Sequence, residues 1–197
     1  MQKIELFWDV GSPYTYLAVT QVPHIRQRTG AHVQLRPFLL GGVFKAVGNK
    51  MIDVVPKAKN LVDDLRRWSR YYRVPMLIPG VDPVPFPINS LLPMRAAMGA
   101  ALVSDVEGEK LARTLFDALW VQGKDLSDRA TLEGVLGADA AAILARGEAQ
   151  DSKDALRKNT EEAIERGAYG APSFFVGSQL FWGNDRIHFV EEAAREG

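Results

Sequence analysis

Phe7-Trp8-Asp9-Val10-Gly11-Ser12-Pro13-Tyr14-Thr15-Tyr16 is the stretch from which the fold of this chain is read. Residues 3 to 9 mix apolar and polar side chains as a short strand does, and Gly11 permits a tight turn. Ser12-Pro13 then places an N-cap residue directly before a proline in the first helical position, a strong helix start. Tyr16, Leu17, Val19, Val22 and Ile25 recur at near-helical spacing and predict one helix running to about Gly30. His32 to Phe38 reads as a second strand, so the opening is β-α-β.

Beyond Gly41-Gly42 the pattern predicts helices alone: Lys59 to Tyr72, Asn89 to Val103, Glu107 to Val121, then shorter ones from about Ser127, Asp139 and Asp151. Five prolines between Pro75 and Pro87 punctuate a long irregular connection after the first of these. Strand signals return at Ser173 to Val176 and Gln179 to Trp182, joined by a Gly177-Ser178 hairpin turn, and a last helix covers about Asp185 to Arg195.

The totals describe a globular chain. Its 197 residues are 47% apolar, enough for a real core, and 24 lysines and arginines balance 24 aspartates and glutamates. With no basic stripe interleaved with aromatics, nucleic acid is not an expected partner. Met1 leads straight into a strand without a basic, apolar and small-residue leader, and no apolar run reaches membrane-spanning length; a cytoplasmic protein with no membrane partner is expected. His24, His32 and His188 are scattered, so no metal site is expected. The chain has no cysteine, which excludes disulfide exchange of its own; any sulfur chemistry must use a thiol from outside.

The order β-α-β, helical block, β-β-α resembles a thioredoxin-like fold interrupted by an inserted all-helical subdomain, an α/β class. The expected division is residues 1–45 and 166–197 for the thioredoxin-like part and 46–165 for the helical insertion. More specifically, the chain resembles the kappa-class glutathione transferases and the 2-hydroxychromene-2-carboxylate isomerases. That resemblance is carried by D-V-G-S-P-Y-T-Y-L-A at 9–18, G-N-K at 48–50, D-L-R-R-W at 64–68, F-P-I-N-S at 86–90, G-A-Y-G-A-P-S-F-F-V at 167–176 and F-W-G-N-D-R at 181–186. Ser12 and Thr15 stand where a redox relative carries its two cysteines.

The resemblance implies glutathione as the cofactor and assigns residues to it. Ser12 would hold the thiolate, at a helix N-terminus that favours negative charge. The plain reading of Ser12 is an N-cap, and the two roles are compatible. Ala171, before a cis Pro172, would pair with the cysteinyl backbone as a short strand does. Asn184 and Asp185 read as helix caps, but by resemblance this spot receives the γ-glutamyl end, Asp185 meeting its amino group. Asn49 and Lys57 fall where the resemblance places contacts to the cofactor and its glycyl carboxylate, with Lys59 competing for the lysine role; Asn49 and Lys57 are also candidate partners of the substrate carboxylate. Asn89 reads first as an N-cap and by its place in F-P-I-N-S as a substrate contact. Trp8, Tyr14, Phe38, Phe44 and Trp182 read as core.

The implied activity is a glutathione-dependent isomerisation of 2-hydroxychromene-2-carboxylate to trans-o-hydroxybenzylidenepyruvate, as in breakdown of naphthalene-type aromatic compounds. The competing readings are a kappa-type transferase that consumes glutathione or reduces a peroxide, and a non-catalytic glutathione- or peptide-binding module. A homodimer is expected from the resemblance alone.

Overall fold

The computed structural model describes residues 3–48 and 55–196. Strand β1 (Lys3–Trp8) is followed by helices α1 (Pro13–Thr20) and α2 (Val22–Thr29), strand β2 (His32–Pro37) and helix α3 (Leu40–Val47). The helical stretch comprises α4 (Val55–Tyr72), α5 (Leu91–Ala101), α6 (Asp105–Trp120), α7 (Arg129–Leu136), α8 (Ala140–Glu148) and α9 (Gln150–Glu165). The chain closes with β3 (Ser173–Val176), β4 (Gln179–Trp182), a short 3₁₀ turn at Asn184–Arg186, and α10 (Ile187–Glu196).

The strands form one sheet in the order β2-β1-β3-β4, with β1 parallel to β2 and antiparallel to β3, and β3 antiparallel to β4. Successive side chains of a strand point to opposite faces: Ile4, Leu6 and Trp8 of β1 are buried on one, and Phe7 is buried on the other, where Lys3 is exposed and Glu5 pairs with Arg36 and Arg166. Ile4, Leu6 and Trp8 join the large core shared with α1, α5 and α6. Phe7 enters a smaller cluster with Phe38, Leu40, Val43, Ala171 and Phe175. Its ring meets Phe175 edge-on at 5.4 Å and Phe38 at 6.0 Å. This second cluster ties the start of α3 and the turn before β3 to the same strand.

Four features depart from the sequence expectation. The single helix expected between the first strands is two, broken at Gln21. Pro23 has no N–H for the Val19 carbonyl and its ring would clash with it, so α1 ends and α2 restarts with proline in its first turn. Gly41-Gly42 lies inside α3 rather than before a loop; a side chain at Gly42 would press on Thr160 of α9 at 3.2 Å. Helix α9 is also a long helix of 16 residues. Trp182, expected in the core, is 45% exposed on edge strand β4, stacked on Tyr169 at 4.9 Å.

Helices α5 and α8 cross with almost no space between them. A Cβ on Gly147 would lie 2.8 Å from the backbone of Ala96, and one on Gly99 2.9 Å from the Gly147 nitrogen. No helix among the described residues is long and apolar enough to cross a membrane.

Candidate active site

The corner between β1 and α1 is built by short-range bonds and then clamped by the helical block. Ser12 N donates to the Asp9 carbonyl at 3.1 Å, closing the turn. Ser12 is extended (φ −96°, ψ 116°), and its Oγ accepts from Thr15 N at 3.2 Å as an N-cap should. From outside the turn, Trp120 Nε1 of α6 donates to the Val10 carbonyl at 2.8 Å, and Val10 N points at Met94 Sδ of α5 at 3.4 Å.

Ser12 Oγ also donates to the Ala171 carbonyl at 3.0 Å, a bond spanning 159 residues of sequence. The Ala171–Pro172 peptide is cis. Two of the segments assigned from sequence are therefore in direct contact. The Pro172 carbonyl accepts from Gly183 N at 3.0 Å, which brings Asn184 and Asp185 alongside the same turn. Gly183 has φ +104°, and a side chain there would collide with the Asp185 carboxylate.

Thr15, in the second of the two positions a redox relative gives to cysteine, is fully buried, and its hydroxyl has no hydrogen-bond partner. A buried hydroxyl without a partner costs about 1–3 kcal/mol in desolvation. Thr15→Val should therefore raise stability by about 1 kcal/mol, read as a shift of the urea midpoint with unchanged slope. An unchanged or lower midpoint would mean that the hydroxyl does find a partner.

Asp9 is the residue that sequence reasoning missed. Its side chain is buried, and it accepts three hydrogen bonds: Oδ1 from Gly11 N at 2.8 Å, Oδ2 from Leu40 N at 2.9 Å and from Ser90 Oγ at 2.9 Å. Burial pushes its carboxyl above the usual aspartate value, with the three donors pulling the other way. One carboxylate thus fastens the Ser12 corner, the first turn of α3 and the segment before α5 to each other. A polar residue closing an apolar strand, immediately before a glycine turn, was the available signal.

These three segments enclose a cleft of about 340 Å³. Its walls are Leu39, Leu40 and Phe44 on one side and Ile88, Asn89 and Ser90 on the other, with Asp9 and Gly11 at the Ser12 end. Phe44, expected in the core, packs half-buried against the smaller cluster and also lines this cleft; Trp8 and Phe38 are fully buried, and Tyr14 is half-buried with its hydroxyl donating to Asp64 at 2.8 Å. Asn89 combines both of its sequence readings: it lines the cleft, and its Oδ1 accepts from Leu91 N at 3.2 Å at the start of α5. The size and largely apolar lining are those of a small-molecule site.

A second cleft, of about 430 Å³, opens where α2, the end of α4 and α10 meet, lined by Arg28, Trp68, Tyr72, Asn184, Asp185 and His188 among others. Asn184 is buried, its carbonyl accepts from Tyr72 Oη at 2.9 Å, and its Nδ2 has no partner. Burial raises the Tyr72 hydroxyl to about 12, so it remains a donor at neutral pH. Asp185 pairs with Arg186 at 2.6 Å. Neither residue caps α10 directly, because the 3₁₀ turn intervenes. Asn49 lies outside the described residues, and of Lys57 only the backbone, in α4, is described; Lys59 is exposed. No group of three or more His, Cys, Asp or Glu among the described residues is placed to hold a metal ion.

Residues 3–195 match the DSBA-like thioredoxin domain family. The chain belongs to that family. Within the DsbA-like thioredoxin family, it is 32% identical over 196 residues to a 2-hydroxychromene-2-carboxylate isomerase from Sphingobium xenophagum, covering 96% of each protein. It is 27% identical over 207 residues to glutathione S-transferase kappa 2 from Caenorhabditis elegans, covering 98% of this chain and 92% of the relative. A solved 2-hydroxychromene-2-carboxylate isomerase superposes with a TM-score of 0.78 at 26% identity, over 97% of this chain and 93% of the other. The family's α/β fold, with a helical stretch between the second and third strands, is the fold of this protein. The relatives are named as isomerases and transferases, and the chain stands among enzymes.

Proposed function

We propose that the protein binds glutathione and uses it to isomerise a bicyclic aromatic hemiketal of the 2-hydroxychromene-2-carboxylate type to its trans open-chain form. The observation that carries this reading is the Ser12 hydroxyl, held at the N-terminus of α1 against the Ala171 carbonyl, beside an apolar cleft, in a chain without a cysteine.

The donor set fits the tripeptide. Ala171 presents a carbonyl that accepts the Ser12 hydroxyl from across the turn, the position an extended peptide N–H would take. A cysteinyl N–H bound to that carbonyl would free the Ser12 proton to act as a donor to the sulfur. The N-terminus of α1 adds its partial positive charge at the same place. Asp185 offers a carboxylate to the γ-glutamyl amino group, in exchange for its exposed pairing with Arg186, and the unpartnered Asn184 Nδ2 lies next to it in sequence. Asn49 and Lys57 are proposed for the glycyl and substrate carboxylates, and Asn89 for the substrate.

Bound glutathione would supply a thiolate nucleophile that is returned at the end of the reaction, its reversible addition to the conjugated double bond permitting rotation. The protein's part is to ionise and aim the thiol, to hold the aromatic ring between Leu39, Phe44 and Ile88, and to exclude water from the cleft. A homodimeric, cytoplasmic protein is proposed on the resemblance, with aromatic catabolism as its setting.

The test is a titration of the protein with glutathione, following the thiolate band in the ultraviolet difference spectrum. A free thiol has a pKa of about 8.5, and one held at a helix N-terminus falls to about 7 or below. A thiolate band that saturates at neutral pH supports the reading; binding without thiolate, or no binding, contradicts it.

A further inference from the structure

The Asp9–Ser90 pair has no part in the reaction as described so far, yet it is the hydroxyl–carboxylate pair lining the substrate cleft among the described residues. We propose that Ser90 is a further catalytic residue, oriented by Asp9, which moves the proton that the hemiketal ring must shift when it opens. The substrate class rests on the function proposed above.

The geometry defines the direction of transfer. Ser90 Oγ donates its proton to Asp9 Oδ2 at 2.9 Å, so the lone pairs of Oγ are left to accept a hydrogen bond from a ligand. Asp9 cannot turn away, because Gly11 N and Leu40 N hold both of its oxygens. Burial keeps the carboxylate a stronger base than a solvated one, which suits it to receive a proton and return it. Ser90 is not occupied otherwise: it stands before α5 but its side chain makes no capping bond.

In a 2-hydroxychromene-type ring the hydroxyl and the ring oxygen are attached to the same carbon, so one relay group reaches both. The substrate O–H bond breaks and its proton passes to Ser90 Oγ, as Ser90's own proton passes to Asp9. The electron pair left on the hydroxyl oxygen forms the ketone, and the ring C–O bond breaks with its pair leaving on the phenolic oxygen. The proton then returns from Asp9 through Ser90 to that oxygen. The product is the cis open-chain ketone, an isomer with every atom and charge accounted for and no outside reagent. Glutathione takes no part in this step, which separates it from the cis-to-trans rotation.

The experiment is exchange spectroscopy by NMR on 2-hydroxychromene-2-carboxylate and its cis open-chain form, with the full chain and without glutathione. The native protein should speed the exchange. Ser90→Ala should lower the enzymatic exchange rate by roughly a hundredfold, the usual scale of a lost acid–base group, and Ser90→Thr should retain most of it. Asp9→Asn should lose the rate as well, since an amide in either orientation faces one N–H donor with another. A rate loss per folded molecule in Ser90→Ala, with unchanged ionisation of bound glutathione, would separate the relay from a packing role, since loss of one donor to the buried Asp9 lowers stability in either case. Native exchange no faster than in buffer, or a Ser90→Ala rate equal to native, would overturn the proposal. Fast, Ser90-dependent exchange with no glutathione-dependent trans product would keep the relay and remove the isomerase reading instead.

Discussion

Replacing Ser12 with alanine should cut the glutathione-dependent turnover by roughly a hundredfold to a thousandfold while costing the fold only about 1 kcal/mol. The small structural cost follows from what the side chain does in the protein alone: it caps α1 through Thr15 N and reaches the Ala171 carbonyl. Neither group becomes a buried charge when the hydroxyl is removed. The large catalytic cost follows from where the hydroxyl goes on binding. It would be a preorganised donor to a thiolate in a cleft shielded from water, where one hydrogen bond counts for more than it does in solution. Glutathione itself should still bind, with affinity reduced only modestly, because Ala171, Asn184 and Asp185 are untouched. Steady-state kinetics with equilibrium binding read both quantities. Equal loss of affinity and turnover would make Ser12 a binding residue, and no change in either would leave a non-catalytic binding module.

Gly147→Ala should destabilise the protein by about 3 kcal/mol, although it adds a single methyl group. That methyl would lie 2.8 Å from the Cα and N of Ala96, closer than a Cβ sits to atoms it is not bonded to, and the obstacle is backbone rather than a side chain that can turn. Relief requires α5 and α8 to separate. Helix α5 carries Met94, in contact with Val10 N, and follows Ser90, which bonds Asp9. The variant should therefore lose activity beyond what its unfolded fraction explains. Urea denaturation gives the first effect, and turnover per folded molecule gives the second. Native-like stability would show that the two helices can move apart freely.

The corner that defines the site was legible because its signals are local. Serine before proline fixes a helix start whatever surrounds it, and the glycine-rich turn ending in Pro172 marks the facing segment. The strands were legible for the same reason. What the sequence hid depends on distant partners. Gly41-Gly42 looks like a break until α9 packs against it; Pro23 is the exception, a local signal, since its missing bond to Val19 four residues back breaks the helix that the apolar spacing suggested. Asp9 resembles a surface carboxylate at a strand end. Its three donors come from residues 11, 40 and 90, and only folding assembles them. Trp182 failed as a core residue, and Phe44 packs against the core while also lining the cleft, because aromatic character does not distinguish a core from an edge strand or the wall of a cleft.

The most direct measurement is the conversion of 2-hydroxychromene-2-carboxylate by the purified protein, with and without glutathione, while total free thiol is followed in the same reaction. Formation of the trans open-chain product that requires glutathione and leaves the thiol concentration constant is the predicted result. Loss of thiol in step with substrate would make the protein a transferase, and no conversion would contradict the account.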